Sequence, residues 1–246
     1  MYLKITFSSI NGQKIRLPLQ YNYYVQSMIY KLLKEKMADF LHEKGFELGK
    51  RQFKMFCFSP LIGNYKILKE TKEIEFNDQI DLYISSPMIE FLAQLSNSLL
   101  LDDYVILSSE RLMVKNLEIK KESVKGDKVM VLALSPVTVY STLYRPEGRK
   151  YTCYYAPNDK EFTRLISENI IKKYMAYYEK EPVNKEFTIK PIGNSRLHVL
   201  TYKGTLIKGY SGKFILQGDQ SLIELALSSG LGNKNSQGFG FIKLLD

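Results

Sequence analysis

The chain has 246 residues, of which 45% are hydrophobic and 25% charged. That balance belongs to a folding globular protein and excludes a disordered or fibrous one. Its 35 Lys and Arg against 26 Asp and Glu give a formal net charge of +9, which points to a polyanionic partner, nucleic acid or an anionic membrane surface. No run approaches the roughly 18 apolar residues of a membrane-spanning helix, and Met1-Tyr2-Leu3-Lys4 opens into a strand-like pattern rather than a signal peptide, so a cytoplasmic protein without membrane contact is expected.

Leu3 to Phe7 alternates apolar and polar residues as a half-buried strand does, and Pro18 marks a turn. Val25, Met28, Ile29, Leu32, Leu33, Phe40 and Leu41 then recur at helical spacing up to Gly45, a residue suited to end a helix. Strands follow within 51–58, 65–68 and 79–85, then a helix from Pro87 to Leu99 and a strand within 105–119. Asp102-Asp103 closes that helix as a turn rather than as a metal pair.

The polar stretch Lys120 to Asp127, with its Gly-Asp turn signal, divides the chain into segments 1–122 and 123–246. The same order then returns. A strand at 129–134, a helix at 160–178, strands at 186–192 and 197–216, a helix at 219–229 capped by Asp219, and a strand at 239–245 complete the second pass. Two passes of a split strand-helix-strand pattern predict an α+β chain of tandem ferredoxin-like domains, the architecture also used by RNA-recognition modules. A single larger α+β domain is the alternative.

Cys57 and Cys153 stand alone in apolar or aromatic runs, which suits buried, unreactive thiols. With only two histidines, His42 and His198, far apart, no metal site and no cofactor is expected. His198 lies in a strand pattern and reads as structural or RNA-facing. On the long second helix, Lys172, Lys173, Tyr174, Tyr177 and Tyr178 suit either an RNA-contacting face or a solvated face with tyrosines against the sheet.

The most informative segment is Gly230-Leu231-Gly232-Asn233-Lys234-Asn235-Ser236-Gln237-Gly238-Phe239-Gly240-Phe241. A helix precedes it and a strand follows, the reverse of a P-loop or dinucleotide motif. Its amides and Lys234 could hold phosphate oxygens, and a plain hairpin connection is the other reading. The segment resembles the glycine-rich loop of the repeat-associated mysterious protein superfamily. Its Gly-hydrophobic-Gly, Lys, Ser, Gly-Phe-Gly arrangement is similar to the sixth of the CRISPR-associated (Cas) families, endoribonucleases that process CRISPR transcripts. Pro18 to Tyr30, Phe40-Leu41-His42-Glu43 and Leu134-Ser135-Pro136-Val137 extend the likeness along nearly the whole chain.

The resemblance implies cleavage of CRISPR repeat RNA by 2'-hydroxyl attack on the adjacent phosphate, leaving a 2',3'-cyclic phosphate and a 5'-hydroxyl, without a metal. Carried over by position, Tyr30 orients or deprotonates the 2'-hydroxyl, His42 is the general acid, and Lys50, or Arg51 in its stead, stabilises phosphate charge. On one straight helix Tyr30 and His42 would lie roughly 18 Å apart. Either the helix breaks between Lys34 and Asp39, or one of the two is not catalytic. RNA contacts are expected at Gly230, Gly232, Lys234, Ser236, Gly238 and Gly240, and at Arg145, Arg149 and Arg196. Lys150, Lys190, Lys203, Lys208 and Lys213 belong to the same basic surface. Interference-complex proteins are further expected partners, and the protein should be a monomer or homodimer. The alternative function is a non-catalytic CRISPR RNA-binding subunit, which would share fold, charge and loop but not need His42.

Overall fold

The computed structural model describes residues 1–245; Asp246, the last residue of the second expected segment, lies outside them. The first half runs β1 (Tyr2–Ser9), β2 (Ile15–Pro18), α1 (Asn22–Leu32), α2 (Glu35–Asp39), a π-helical turn (Phe40–Lys44), β3 (Phe46–Leu48), β4 (Arg51–Phe53), β5 (Cys57–Phe58), β6 (Tyr65–Leu68), β7 (Glu73–Phe76), β8 (Gln79–Ser85), α3 (Ile89–Leu101), β9 (Val105–Leu107) and β10 (Glu110–Lys120). The second half runs β11 (Lys128–Val137), β12 (Tyr140–Tyr144), β13 (Lys150–Tyr154), α4 (Lys160–Tyr178), β14 (Phe187–Tyr202), β15 (Thr205–Gly218), α5 (Gln220–Ser229), a 3-10 turn (Asn235–Gln237) and β16 (Ile242–Leu244).

Two antiparallel sheets carry the architecture, ordered β5-β8-β1-β10-β9 and β14-β15-β11-β16. Numbering the shared strands β1, β5, β8, β10 and β11, β14, β15, β16 in chain order within each half gives the sequence 4-1-3-2 twice, with a helix after the first strand and another after the third. This is the ferredoxin-like arrangement in tandem. Segment 121–127 joins the sheets. One contiguous apolar cluster runs through both halves, holding Phe7, Phe58 and Phe91 from the first and Phe162, Phe214 and Leu222 from the second.

Several elements depart from the sequence reading. The span 105–119 is a hairpin, turned at Ser108 with φ 59°, and 197–216 contains the turn Lys203-Gly204, both residues at positive φ. The span 51–58 is interrupted at 54–56, and Phe239 to Phe241 precede β16 because pairing with β11 begins only at Ile242. β2 and β7, which build a small sheet with β6, β3, which pairs with β4, and the β12–β13 ribbon were not foreseen; each of these strands has five residues or fewer, too short for a periodic pattern to stand out. Asp219 does cap α5, accepting from the Ser221 amide at 2.9 Å.

The departure that matters most is in the first helix. α1 stops at Leu32, and Leu33 and Lys34 are extended, with ψ 152° and 144°. The backbone groups freed there are met by α3: the Ser98 hydroxyl donates to the Leu32 carbonyl at 2.7 Å, and the Lys34 amide donates to Gln94 Oε1 at 3.1 Å. The break also lets both Leu32 and Leu33 enter the core. α2 then leads into the π-helical turn, closed by the Gly45 amide on the Phe40 carbonyl at 2.6 Å. Gly45 has φ 66°, and a Cβ there would stand 2.7 Å from the Phe53 carbonyl oxygen, so glycine is required. Ser98→Ala should therefore cost about 1 kcal/mol of stability, the worth of one such hydrogen bond. An unchanged urea midpoint would show that the break is held by other means.

Candidate active site

The break turns the chain back on itself and brings His42 over Tyr30, their ring centroids 6.0 Å apart and nearly perpendicular. The helix breaks rather than running straight, so the two rings stand side by side; the break falls at Leu33-Lys34, at the N-terminal edge of the expected stretch. His42 is exposed on the π-helical turn. Tyr30 is half-buried, its ring also edge-on to Phe56 at 5.9 Å. Burial, with the Tyr202 phenol adding, pushes the Tyr30 hydroxyl up to about 12. Near neutral pH it is a neutral phenol that donates a hydrogen bond and not a phenolate base.

Lys50 lies exposed at the turn between β3 and β4. The cation that reaches the histidine is Lys54, whose Nζ donates to the His42 carbonyl at 3.0 Å and whose pKa is lowered by burial. Sequence reasoning missed Lys54 because it falls inside a run that looked like one strand; the only signal was its charge among Phe53, Met55 and Phe56. Arg51 lines a cleft beside this group and faces Tyr140, whose own hydroxyl is raised by burial and held back by Arg51.

The cleft, about 690 Å³, lies between 51–56 of the first half and the base of the β12–β13 hairpin, α4 and the glycine-rich loop of the second. α1 seats that loop. Asn22 Nδ2 donates to the Gln237 carbonyl at 3.0 Å and Gln26 Nε2 to the Ser236 carbonyl at 2.7 Å, while Gln26 Oε1 accepts from the Tyr202 hydroxyl. Asn22, Gln26 and Tyr30 are spaced by four, on one helix face, so the loop is held one and two turns from Tyr30.

Gly230, Gly232, Gly238 and Gly240 are buried, and the amides of Gly230, Gly238 and Gly240 are used within the fold, on Ala226, Asn235 and Pro136 carbonyls. They shape the loop. At Gly232, φ 67°, a Cβ would meet the Thr138 carbonyl oxygen, and at Gly238, φ 84°, it would come 2.5 Å from the Phe58 ring. The outer turn is left to face the cleft, with Ser236 and with Lys234, whose Nζ stands 5.8 Å from the Tyr140 ring centroid and whose pKa is lowered by burial.

Arg145 and Arg149 sit at the exposed end of the β12–β13 hairpin, joined by the Arg145 amide on the Arg149 carbonyl at 2.9 Å. Arg196 is exposed on β14 beside its bulge, and His198 shares a 2.7 Å hydrogen bond with Ser211 Oγ. None of these reaches Tyr30. Lys173 is not on a solvated face: it is 3% exposed, and Tyr177 packs on Phe46 and donates to the Pro87 carbonyl at 3.1 Å. Cys57 is buried, whereas Cys153 is half-exposed. Among the described residues, no group of three His, Cys, Asp or Glu side chains converges, and no helix is long and apolar enough to cross a membrane.

Comparisons place this geometry among known proteins. Residues 118–244 match the family model "CRISPR associated protein Cas6, C-terminal", and residues 16–118 match "CRISPR-associated protein Cas6, N-terminal". The CRISPR-associated endoribonuclease Cas6 of Pyrococcus furiosus is 28% identical over 237 residues, covering 93% of this chain and 84% of that one. The CRISPR-associated endoribonuclease Cas6 1 of Methanocaldococcus jannaschii is 28% identical over 228 residues, covering 92% and 86%. A solved structure described as "An RAMP protein binding different RNA substrates" superposes with a TM-score of 0.84 at 23% identity over all of both chains, which shows the shared fold. With both halves matched in order and the resemblance of its glycine-rich loop joined by a family model over more than half its length, the chain belongs to the CRISPR-associated Cas6 family.

Proposed function

We propose that this protein binds CRISPR repeat RNA and cuts precursor transcripts by metal-independent attack of a ribose 2'-hydroxyl on the adjacent phosphate, leaving a 2',3'-cyclic phosphate and a 5'-hydroxyl. The observation that carries this reading is the return of His42 onto Tyr30, with Lys54 at the His42 carbonyl, on the helix that also holds the glycine-rich loop. The names of the curated relatives, endoribonucleases, support it.

In this mechanism the neutral Tyr30 hydroxyl orients the 2'-hydroxyl, which attacks phosphorus while its proton leaves to solvent. The bond to the 5'-oxygen breaks, and His42 donates a proton to that oxygen. Lys54 lends positive charge to the phosphate as negative charge accumulates on its oxygens. Lys234 and the outer turn of the loop bind neighbouring phosphates. The basic hairpin end at Arg145 and Arg149, together with Arg196, extends the RNA surface away from the cut.

Two outcomes follow. Cleavage of repeat RNA should run at the same rate in excess EDTA and yield a cyclic-phosphate end; loss of activity that magnesium restores, with the RNA fold shown intact, would overturn the mechanism. Lys54→Ala should slow single-turnover cleavage by about 100-fold, the scale of removing one donor to transition-state charge, and far more than Lys50→Ala. The reverse order would return the role to Lys50.

A further inference from the structure

Lys173 is a buried amine with no carboxylate against it among the described residues. It projects from α4 beneath the glycine-rich loop, and all three of its hydrogen bonds are to acceptors of that segment: the Gly230 carbonyl at 2.6 Å, Asn235 Oδ1 at 2.8 Å and the Ser229 carbonyl at 3.3 Å. Ser229 and Gly230 are the end of α5, where helix carbonyls lack intrahelical partners. Asn235 passes the restraint on, its Nδ2 donating to the Leu231 and Phe239 carbonyls at 2.9 and 3.0 Å. One ammonium thus ties the helix end, the loop's centre and, through Asn235, both of its arms.

We propose that Lys173 is a positioning residue whose protonated ammonium holds the glycine-rich loop in the shape that accepts an RNA phosphate, so that binding of the polyanion is coupled to uptake of a proton. The proposal rests on the reading of this loop as an RNA-binding element. Three acceptors satisfy the three N–H bonds of an ammonium; a neutral amine has two, and would turn a lone pair toward an oxygen. Losing the proton therefore releases one of the three ties.

The surroundings make that loss accessible. Burial lowers the Lys173 pKa to about 7, and among the described residues no carboxylate opposes it. The titratable group facing it is the Cys57 thiol on β5, itself pushed up by burial to about 11 and so neutral in this range. From α5 and the loop it meets only carbonyls and an amide, and on α4 the group one turn before it is Asn169. Across the cleft stand Arg51, Lys54 and Lys234, all cations. An RNA phosphate entering between them would favour the ammonium. The sign is then fixed: affinity is highest below about pH 7 and declines above it, by no more than tenfold per pH unit for one linked proton. Folding stability responds in the opposite sense. Between about pH 7 and the ordinary lysine value the unfolded chain holds the proton that the free folded protein lacks, so this group's contribution to stability rises with pH.

The test is titration calorimetry at pH 8 with repeat RNA carrying a 2'-deoxyribose at the cut site, repeated in buffers of different ionisation enthalpy. Wild type should take up most of a proton on binding. Lys173→Met should bind several-fold more weakly with that uptake abolished, and Lys173→Arg, which keeps its charge at pH 8, should bind with no uptake and lose the decline in affinity between pH 7 and 9. Lys234→Ala, on the half-exposed outer turn, reports on the loop separately. If it weakens binding while wild type takes up no proton, the proposal fails and the loop reading stands; if it binds as wild type does, the loop is not the RNA surface and both fail. Should the Lys173 variants not fold, the wild-type proton uptake at pH 8 still decides, its absence overturning the proposal.

Discussion

The site depends on two hydrogen bonds made across the first domain, from Ser98 to the Leu32 carbonyl and from the Lys34 amide to Gln94. Without the first, the Leu32 carbonyl would be left unpaired at a partly buried position, a cost that continuing the helix would avoid; the second pairs the exposed Lys34 amide. With them, the chain reverses, the short α2 and the π-helical turn follow, and His42 arrives over Tyr30. A widened turn of this kind is costly as isolated helix and is found disproportionately at functional sites. Gly45 and the Phe53 carbonyl complete the constraint, fixing where the turn ends and starting the strand that leads to Lys54.

The second domain reads the same helix. Asn22 and Gln26 present amides to the loop's outer carbonyls, and Tyr30 lies one turn further along. The glycine-rich loop and Tyr30 are therefore held by one rigid element, with spacing set by helix geometry rather than by flexible linkers. The Tyr202 hydroxyl joins the long β14–β15 hairpin to Gln26, and Lys203 lies 4.6 Å from the Tyr23 ring centroid, so the tip of this hairpin meets α1 as the loop does. Tyr2, Cys57 and Phe241 form a further apolar seam between the halves.

Much of the architecture was legible in the residues, and the losses have physical causes. α4 matches its expected span because nineteen residues of helical periodicity lie between Asp159 and a residue in left-handed conformation. β8 was clear from alternation. The break at Leu33 carries no Pro or Gly and is held by side chains 60 and 66 positions from the backbone groups they bond, which no local pattern reports. In the sequence Lys173 reads with Lys172 as part of an RNA-contacting or a solvated helix face, yet Lys172 bonds Glu168 while Lys173 turns inward; a one-residue step on a helix is about 100° of rotation. The glycine-rich loop was recognisable from composition, but its glycines serve close packing against Phe58 and Thr138, a role that becomes visible only once both domains are in place.

The measurement that bears most directly on the Tyr30–His42 arrangement is single-turnover cleavage of repeat RNA by His42→Ala, run beside a binding titration of the same variant. If His42 is the proton donor, the variant should slow cleavage by about 100-fold to 10,000-fold, with affinity close to wild type, because His42 lies outside the glycine-rich loop. Cleavage at the wild-type rate would make His42 structural and move the chemistry elsewhere. A wild-type protein that binds its repeat tightly and never cuts it would make the chain an RNA-binding member of its family.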